Sequence, residues 1–237
     1  MSHKVEMPDG MPRAMRNLKR DDVGRPIPFF VEMIDDKPDF RVMSAKHLRR
    51  AVMEGLCWLC GEQLHRERGR LVGTFVSGPM CLINKNSAEP PAHEECALWA
   101  ARACPFLTNP NKERREANLP GGAQPMPGEA IMRNPGVTAL IRCSRWTPYS
   151  HQGGLLFRMI TITYVEWMCE GREATSGEVF ASIETGLPAL VAIADEEGSE
   201  AQTQLALMTT KALLWIGEPD PAEFPLIAKV ADSGWAA

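Results

Sequence analysis

Apolar and polar positions fall into short blocks along the chain, and the blocks change character near its middle. Val137, Ala139, Ile141 and Cys143 alternate with more polar neighbours, the period of a half-buried strand. Residues 155–169 are rich in Ile, Thr, Tyr, Val and Trp, side chains that fit a pleated surface, and predict a second strand. Thr175 and Glu178 have capping-box spacing, so a helix should follow with Val179, Phe180 and Ile183 on one face and Gly186 after its end. Pro188 then starts another helix, which Gly198 stops. Ser199 and Gln202 repeat the capping pattern before a longer helix, whose Leu205, Met208, Ala212, Trp215 and Ile216 form one apolar stripe. Gly217 and Pro219 end it, and the tail from Pro221 to Ala237 is expected to pack loosely.

The first half is patterned differently. Pro26 and Pro28 exclude helix from an extended lead-in, and Asp35-Asp36-Lys37 can turn between two short strands. Ser44 suits the N-cap of a helix over 45–54, closed by Gly55. Residues 71–76 and 80–83 flank Ser77-Gly78-Pro79 and predict a β-hairpin. Pro91 fits the first position of a helix that buries Cys96, Trp99, Ala100, Ala103 and Cys104 before Pro105 ends it. From Thr108 to Gly136, closely spaced Pro and Gly leave no room for sustained periodicity. The resulting expectation is an α+β chain: a zinc-binding domain over 1–107, a linker over 108–136, and a second domain of strands followed by three helices over 137–237.

Composition narrows the compartment. The chain has 237 residues, 44% of them hydrophobic, enough for one large core or two small ones. The N-terminus has no apolar signal region, and apolar stretches such as 155–162 and 189–194 fall short of the ~20 residues that span a bilayer. This predicts a cytoplasmic protein with no membrane partner. The 7 cysteines without a secretion signal then read as metal ligands or core residues, because cytosolic thiols stay reduced.

Two of those cysteines make the strongest motif, Cys57-Trp58-Leu59-Cys60-Gly61, followed by His93-Glu94-Glu95-Cys96. A Cys-x-x-Cys turn lets two thiolates chelate one ion, and Gly61 relaxes the backbone where the turn reverses. His93 and Cys96 fall in the first turn of the expected helix, pointing from one face, where the helix N-terminus favours the thiolate. Knuckle, hairpin and ligand-bearing helix is the layout of a treble clef. Three Cys and one His suit a closed tetrahedral Zn2+ site, whereas a catalytic zinc needs an open position. Cys81 can substitute as a ligand and Cys104 lies near the face of Cys96; core packing is the preferred reading of both. A redox role for Cys57 and Cys60 needs a thioredoxin-like context that the pattern lacks.

Several runs then carry a resemblance. Gly78-Pro79-Met80-Cys81, Ser87-Ala88-Glu89-Pro90-Pro91, His93-x-x-Cys96-Ala97 and Cys104-Pro105-Phe106-Leu107 belong to it. With Gly24-Arg25-Pro26-Ile27-Pro28-Phe29-Phe30-Val31 and Pro38-Asp39-Phe40-Arg41, they resemble an uncharacterised family of zinc-site proteins from bacteriophages and bacteria. The likeness covers roughly residues 24–107 and continues more weakly through Thr147-Pro148-Tyr149 and 153–157 to Gly186-Leu187-Pro188. It implies a zinc-site protein of phage or prophage type, working in the bacterial host cytoplasm.

Chemistry beyond the metal is sparse. No Walker, dinucleotide or nucleophile-elbow motif occurs. His65, Asn84 and His93 stand in the order of a treble-clef (HNH-like) nuclease, but His93 is better used on zinc. Tyr149, Ser150 and His151 precede two glycines, and with Glu166 or the anion-binding candidates Arg142, Arg145 and Arg158 they offer an alternative enzymatic loop. No catalytic residue is assigned. The economical reading is an interaction protein binding a host protein or nucleic acid. Arg66, Arg68 and Arg70 are the candidate nucleic-acid contacts, since alternate positions on an extended segment would share one face. Residues 1–118 hold 19 Lys and Arg against 16 Asp and Glu, and residues 119–237 hold 7 against 14, so the total of −4 hides a mildly basic first half.

Overall fold

The computed structural model describes residues 7–110, 112–113, 134–151 and 153–233. Its organising element is a long antiparallel hairpin, β7 (Val137–His151) and β8 (Gly154–Cys169), formed by the two β-rich runs of the second half. The hairpin seeds a five-stranded antiparallel sheet. β5 (Gly73–Ser77) pairs with β7; β6 (Asn86–Ser87) and β9 (Arg172–Glu173) pair with different stretches of β8. The sheet therefore spans the compositional boundary, with β5 drawn from before residue 108 and β7 from after residue 136. The interior of that proposed linker, residues 114–133, lies outside the described residues. Its ends meet: the buried Asn134 amide donates to the carbonyls of Phe106 and Asn109, and Asn134 N donates to Lys112 O at 2.9 Å.

The strand period of two gives the sheet two buried faces. On one, Ala139, Ile141 and Cys143 of β7 and Val165 and Trp167 of β8 pack against α3 (Pro79–Asn84), α5 (Ser176–Glu197), α6 (Ser199–Leu213) and α7 (Pro225–Ser233). On the other, Leu140 and Met168 pack with a smaller core from α1 (Arg13–Arg16), the Cys57–Cys60 turn and α4 (Glu94–Ala103). Beside this second core, β1 (Val31–Ile34) and β2 (Lys37–Met43) form a separate ribbon, and α2 (Ala45–Glu54) joins Leu56 and Trp58 in a third cluster. Seven helices and three small sheets among the described residues make the chain mixed α+β.

Several local signals act as expected. Ser44 caps α2, Gly55 closes it at φ +67°, and Thr175 and Glu178 form the full capping box of α5. Several expectations need correction; the Ser199 capping pattern, for one, does not form, since Gly198 is the N-cap of α6 and no side chain caps it. The hairpin expected over 71–83 is instead β5 followed by α3: Gly78 takes an extended N-cap conformation and Pro79 occupies the first helical turn, where its missing N–H costs nothing. Helix α4 starts at Glu94, with His93 as N-cap, rather than at Pro91. Gly186 and Pro188 do not divide two helices; α5 runs through both, pressed against α3 where a Cβ on Gly186 would meet Met80 at 3.1 Å. Because of that continuity α5 is, by length and composition, apolar enough to cross a membrane, although Val179, Phe180, Ile183 and Leu187 are buried against the sheet side here. The tail as far as Ser233 also packs. Glu184 reaches from α5 to accept the N–H groups of Leu226 (2.7 Å) and Ile227 (3.0 Å), capping α7 from 42 residues away, and Ile227 is buried.

Candidate metal centre

The Cys57–Cys60 turn is built by backbone pairing on either side of it. Cys57 N donates to Glu62 O at 2.7 Å, Leu64 N to Gly55 O at 2.8 Å, and Gly61 N back to Cys57 O at 2.9 Å. Gly61 sits at φ +78°, and a Cβ there would lie 2.7 Å from the Phe29 ring, so both backbone and space require glycine. The turn is tied to the second ligand pair by Trp58 N donating to Pro91 O, while Thr74 of β5 and Ala92 exchange two backbone bonds of 2.8 Å. That clamp holds the chain just before α4 against the sheet, and so brings His93 and Cys96 to the turn.

The ligand atoms of Cys57, Cys60, His93 and Cys96 all lie within 4.8 Å of one another, and all four residues are buried. His93 Nδ1 is 3.4 Å from Cys60 Sγ and 3.9 Å from Cys96 Sγ. Tetrahedral ligands at ordinary zinc distances would stand about 3.6 Å apart for such a sulfur–nitrogen pair. The group has the dimensions to hold a metal ion. His93 Nε2 is 3.0 Å from Gln63 O; a carbonyl can only accept, so Nε2 carries a proton and Nδ1 is the ring nitrogen turned toward the sulfurs, free to bind a metal once deprotonated. His93 N also donates to Cys57 Sγ at 3.2 Å, and Cys60 N to the same sulfur at 3.5 Å.

The four side chains are electrostatically coupled. Burial raises the Cys57 thiol, but hydrogen bonds from Cys60, Cys96 and His93 outweigh it and hold Cys57 far below the usual thiol range. Contacts with the sulfurs of Cys57 and Cys60 push Cys96 far up, since neighbouring thiolates repel. Burial lowers His93, yet the same two sulfurs lift it to about 11. A divalent ion between the four atoms would relieve the repulsion and let every sulfur ionise.

Other candidates are placed more loosely. Cys81 lies in α3 and Cys104 is the C-cap of α4; neither belongs to the four-residue group. His65 is exposed, with its ring tilted against His93 at 4.4 Å, and Asn84 uses its side-chain oxygen on Asn86 N at the end of α3. Tyr149 donates to Asn86 Oδ1 at 3.0 Å and lies under the Arg158 guanidinium, with His151 exposed at the hairpin end. Residues 149–151 are the paired end of β7 rather than a loop; burial raises the Glu166 carboxyl, but Glu166 pairs across the sheet with Leu140, far along the hairpin from them. Arg142 is held by Glu67 and Glu94, so it does not join Arg158.

The row expected of Arg66, Arg68 and Arg70 is also altered. β3 (Arg66–Glu67) and β4 (Arg70–Leu71) form a tight hairpin, with Arg68 at φ +49° and Gly69 at φ +80°, the two positive values of a type I′ turn. The arginines fan around its tip and all are exposed. Sequence reasoning missed the Gln63 carbonyl that orients His93, for which no side-chain signal exists. Comparison with protein-family models, with curated proteins and with solved structures finds no match.

Proposed function

We propose that this chain is a zinc-stabilised interaction protein of phage or prophage type, acting in the bacterial cytoplasm on a host protein or nucleic acid. Cys57, Cys60, His93 and Cys96 hold one structural Zn2+ in a treble-clef-like module, the hairpin role being taken by β3 and β4. The observation that carries this reading is the enclosed Cys3His group with His93 Nδ1 turned inward. Four protein ligands complete a tetrahedron and leave no position for a water, which favours a bracing ion over a catalytic one. A metal in such a module replaces core that short elements cannot supply.

Metal analysis of protein purified without chelators tests it. One zinc per chain is expected, lost in Cys57→Ser together with the fold of the module. Iron in its place, or a Cys57→Ser variant with unchanged metal and melting, would overturn the assignment.

A further inference from the structure

We propose that the tip of the β3–β4 hairpin is the contact surface for a nucleic-acid duplex, meeting phosphates from both walls of a groove. This rests on the structural-metal reading only in that the metal module holds the hairpin still.

The residues opposed across the hairpin divide its faces. Glu67 pairs with Arg70 on one face and Arg66 with Leu71 on the other, with Arg68 at the apex. Cations thus stand on both faces and at the end, rather than in a row along one. Leu71 turns inward, against Gly55, so the tip keeps no exposed apolar side chain. Glu67, the acid that would offset the arginines, is drawn back to Arg142 on β7, which also holds Glu94. Among the described residues no carboxylate is paired with Arg66, Arg68 or Arg70. Arg66 Nη1 donates to Gly69 O at 3.1 Å, which fixes its stem along the turn.

The chemistry of the tip selects the partner. Protein interfaces centre on buried aromatic and aliphatic anchors, and here the exposed apolar residues, such as Met33, Phe40, Met53 and Leu214, lie on other elements. Single strands are held by aromatic rings that stack on bases; the ring next to the hairpin in sequence, His65, leans on His93 instead. A cationic two-stranded tip with neither feature suits the paired phosphate walls of a duplex groove, which admits a β-ribbon.

Fluorescence anisotropy with a 20-base-pair DNA duplex and its single strand, from 50 to 200 mM salt, tests this on the zinc-analysed full chain. Three phosphate contacts predict that duplex affinity falls about 40-fold over that range. An Arg66→Ala/Arg68→Asn/Arg70→Ala variant should lose that part of the salt dependence while keeping its metal and melting temperature. Asn replaces Arg68 because it tolerates the positive φ and preserves the turn. A second variant, Arg66→Lys/Arg70→Lys, should keep the salt dependence. No duplex binding at 50 mM, equal binding by the triple variant, or tighter binding of the single strand would overturn the proposal. Zinc-loaded protein that ignores the duplex defeats this inference alone; zinc-free protein whose duplex binding needs the arginines defeats only the metal reading.

Discussion

The two faces of the central sheet are covered by different means. On one, the 22-residue α5 and 15-residue α6 bring long apolar stripes, and Phe75, Ile141, Ile183, Leu187 and Ile227 are buried without any covalent or metal bridge. On the other, the covering elements are a 4-residue α1, a 10-residue α4, two-residue strands and turns, and the core is smaller: the three candidate-ligand cysteines, Ala92, Ala97, Ala101 and Trp99 fill it together with Met15, Leu59, Leu64, Leu140 and Met168. Apolar area drives folding in proportion to what is removed from water, and turns and alanines remove little. The lesson is that the Cys3His group sits on the face where hydrophobic burial is thinnest, which is where an ion adds most.

The contrast predicts opposite responses to substitution. Cys96→Ser should abolish metal binding and melt the module, because the binding free energy of structural zinc, roughly 10–16 kcal/mol in small modules, is largely folding free energy. Hydrogen exchange should then show amides of α4 and the Cys57–Cys60 turn unprotected, with β7, β8 and α5 less affected. Ile183→Ala on the helix face should cost about 2–5 kcal/mol and leave metal content unchanged. Uniform loss of protection in both variants would mean that the faces share one source of stability.

A smaller effect sharpens the same comparison. Gly61→Ala forces a side chain into positive φ and toward Phe29, at a cost of about 1–2 kcal/mol from the backbone alone. The loss should appear as weaker metal affinity in a competition titration with a chelator, not as lower stability of α5. Unchanged affinity would show that the turn does not need its left-handed glycine.

What the sequence disclosed follows the reach of each interaction. The spacing of Cys57, Cys60, His93 and Cys96, which the fold gathers into one group, the Ser44 and Gly55 ends of α2, the Thr175 and Glu178 box and the long strands are local patterns, and each was legible. Features fixed by distant partners were not. Ser77-Gly78-Pro79 reads equally as a turn or as a helix start, and what decides it is the burial of Met80, Leu82 and Ile83 under α5 and α6. Pro188 signals a helix start locally, but packing at Gly186 keeps α5 continuous through it. The cap of α7 comes from Glu184, and β5 finds β7 across more than 60 residues, pairings that no local window contains. At the metal centre, residue types were readable, whereas the Gln63 carbonyl and the Thr74–Ala92 clamp are backbone groups without a signature.

X-ray absorption at the zinc edge of the natively purified chain tests the central claim most directly. The account predicts a four-coordinate ion with three sulfurs at about 2.3 Å and one nitrogen at about 2.0–2.1 Å. An oxygen ligand in place of a sulfur, or a coordination number above four, would contradict a closed structural site.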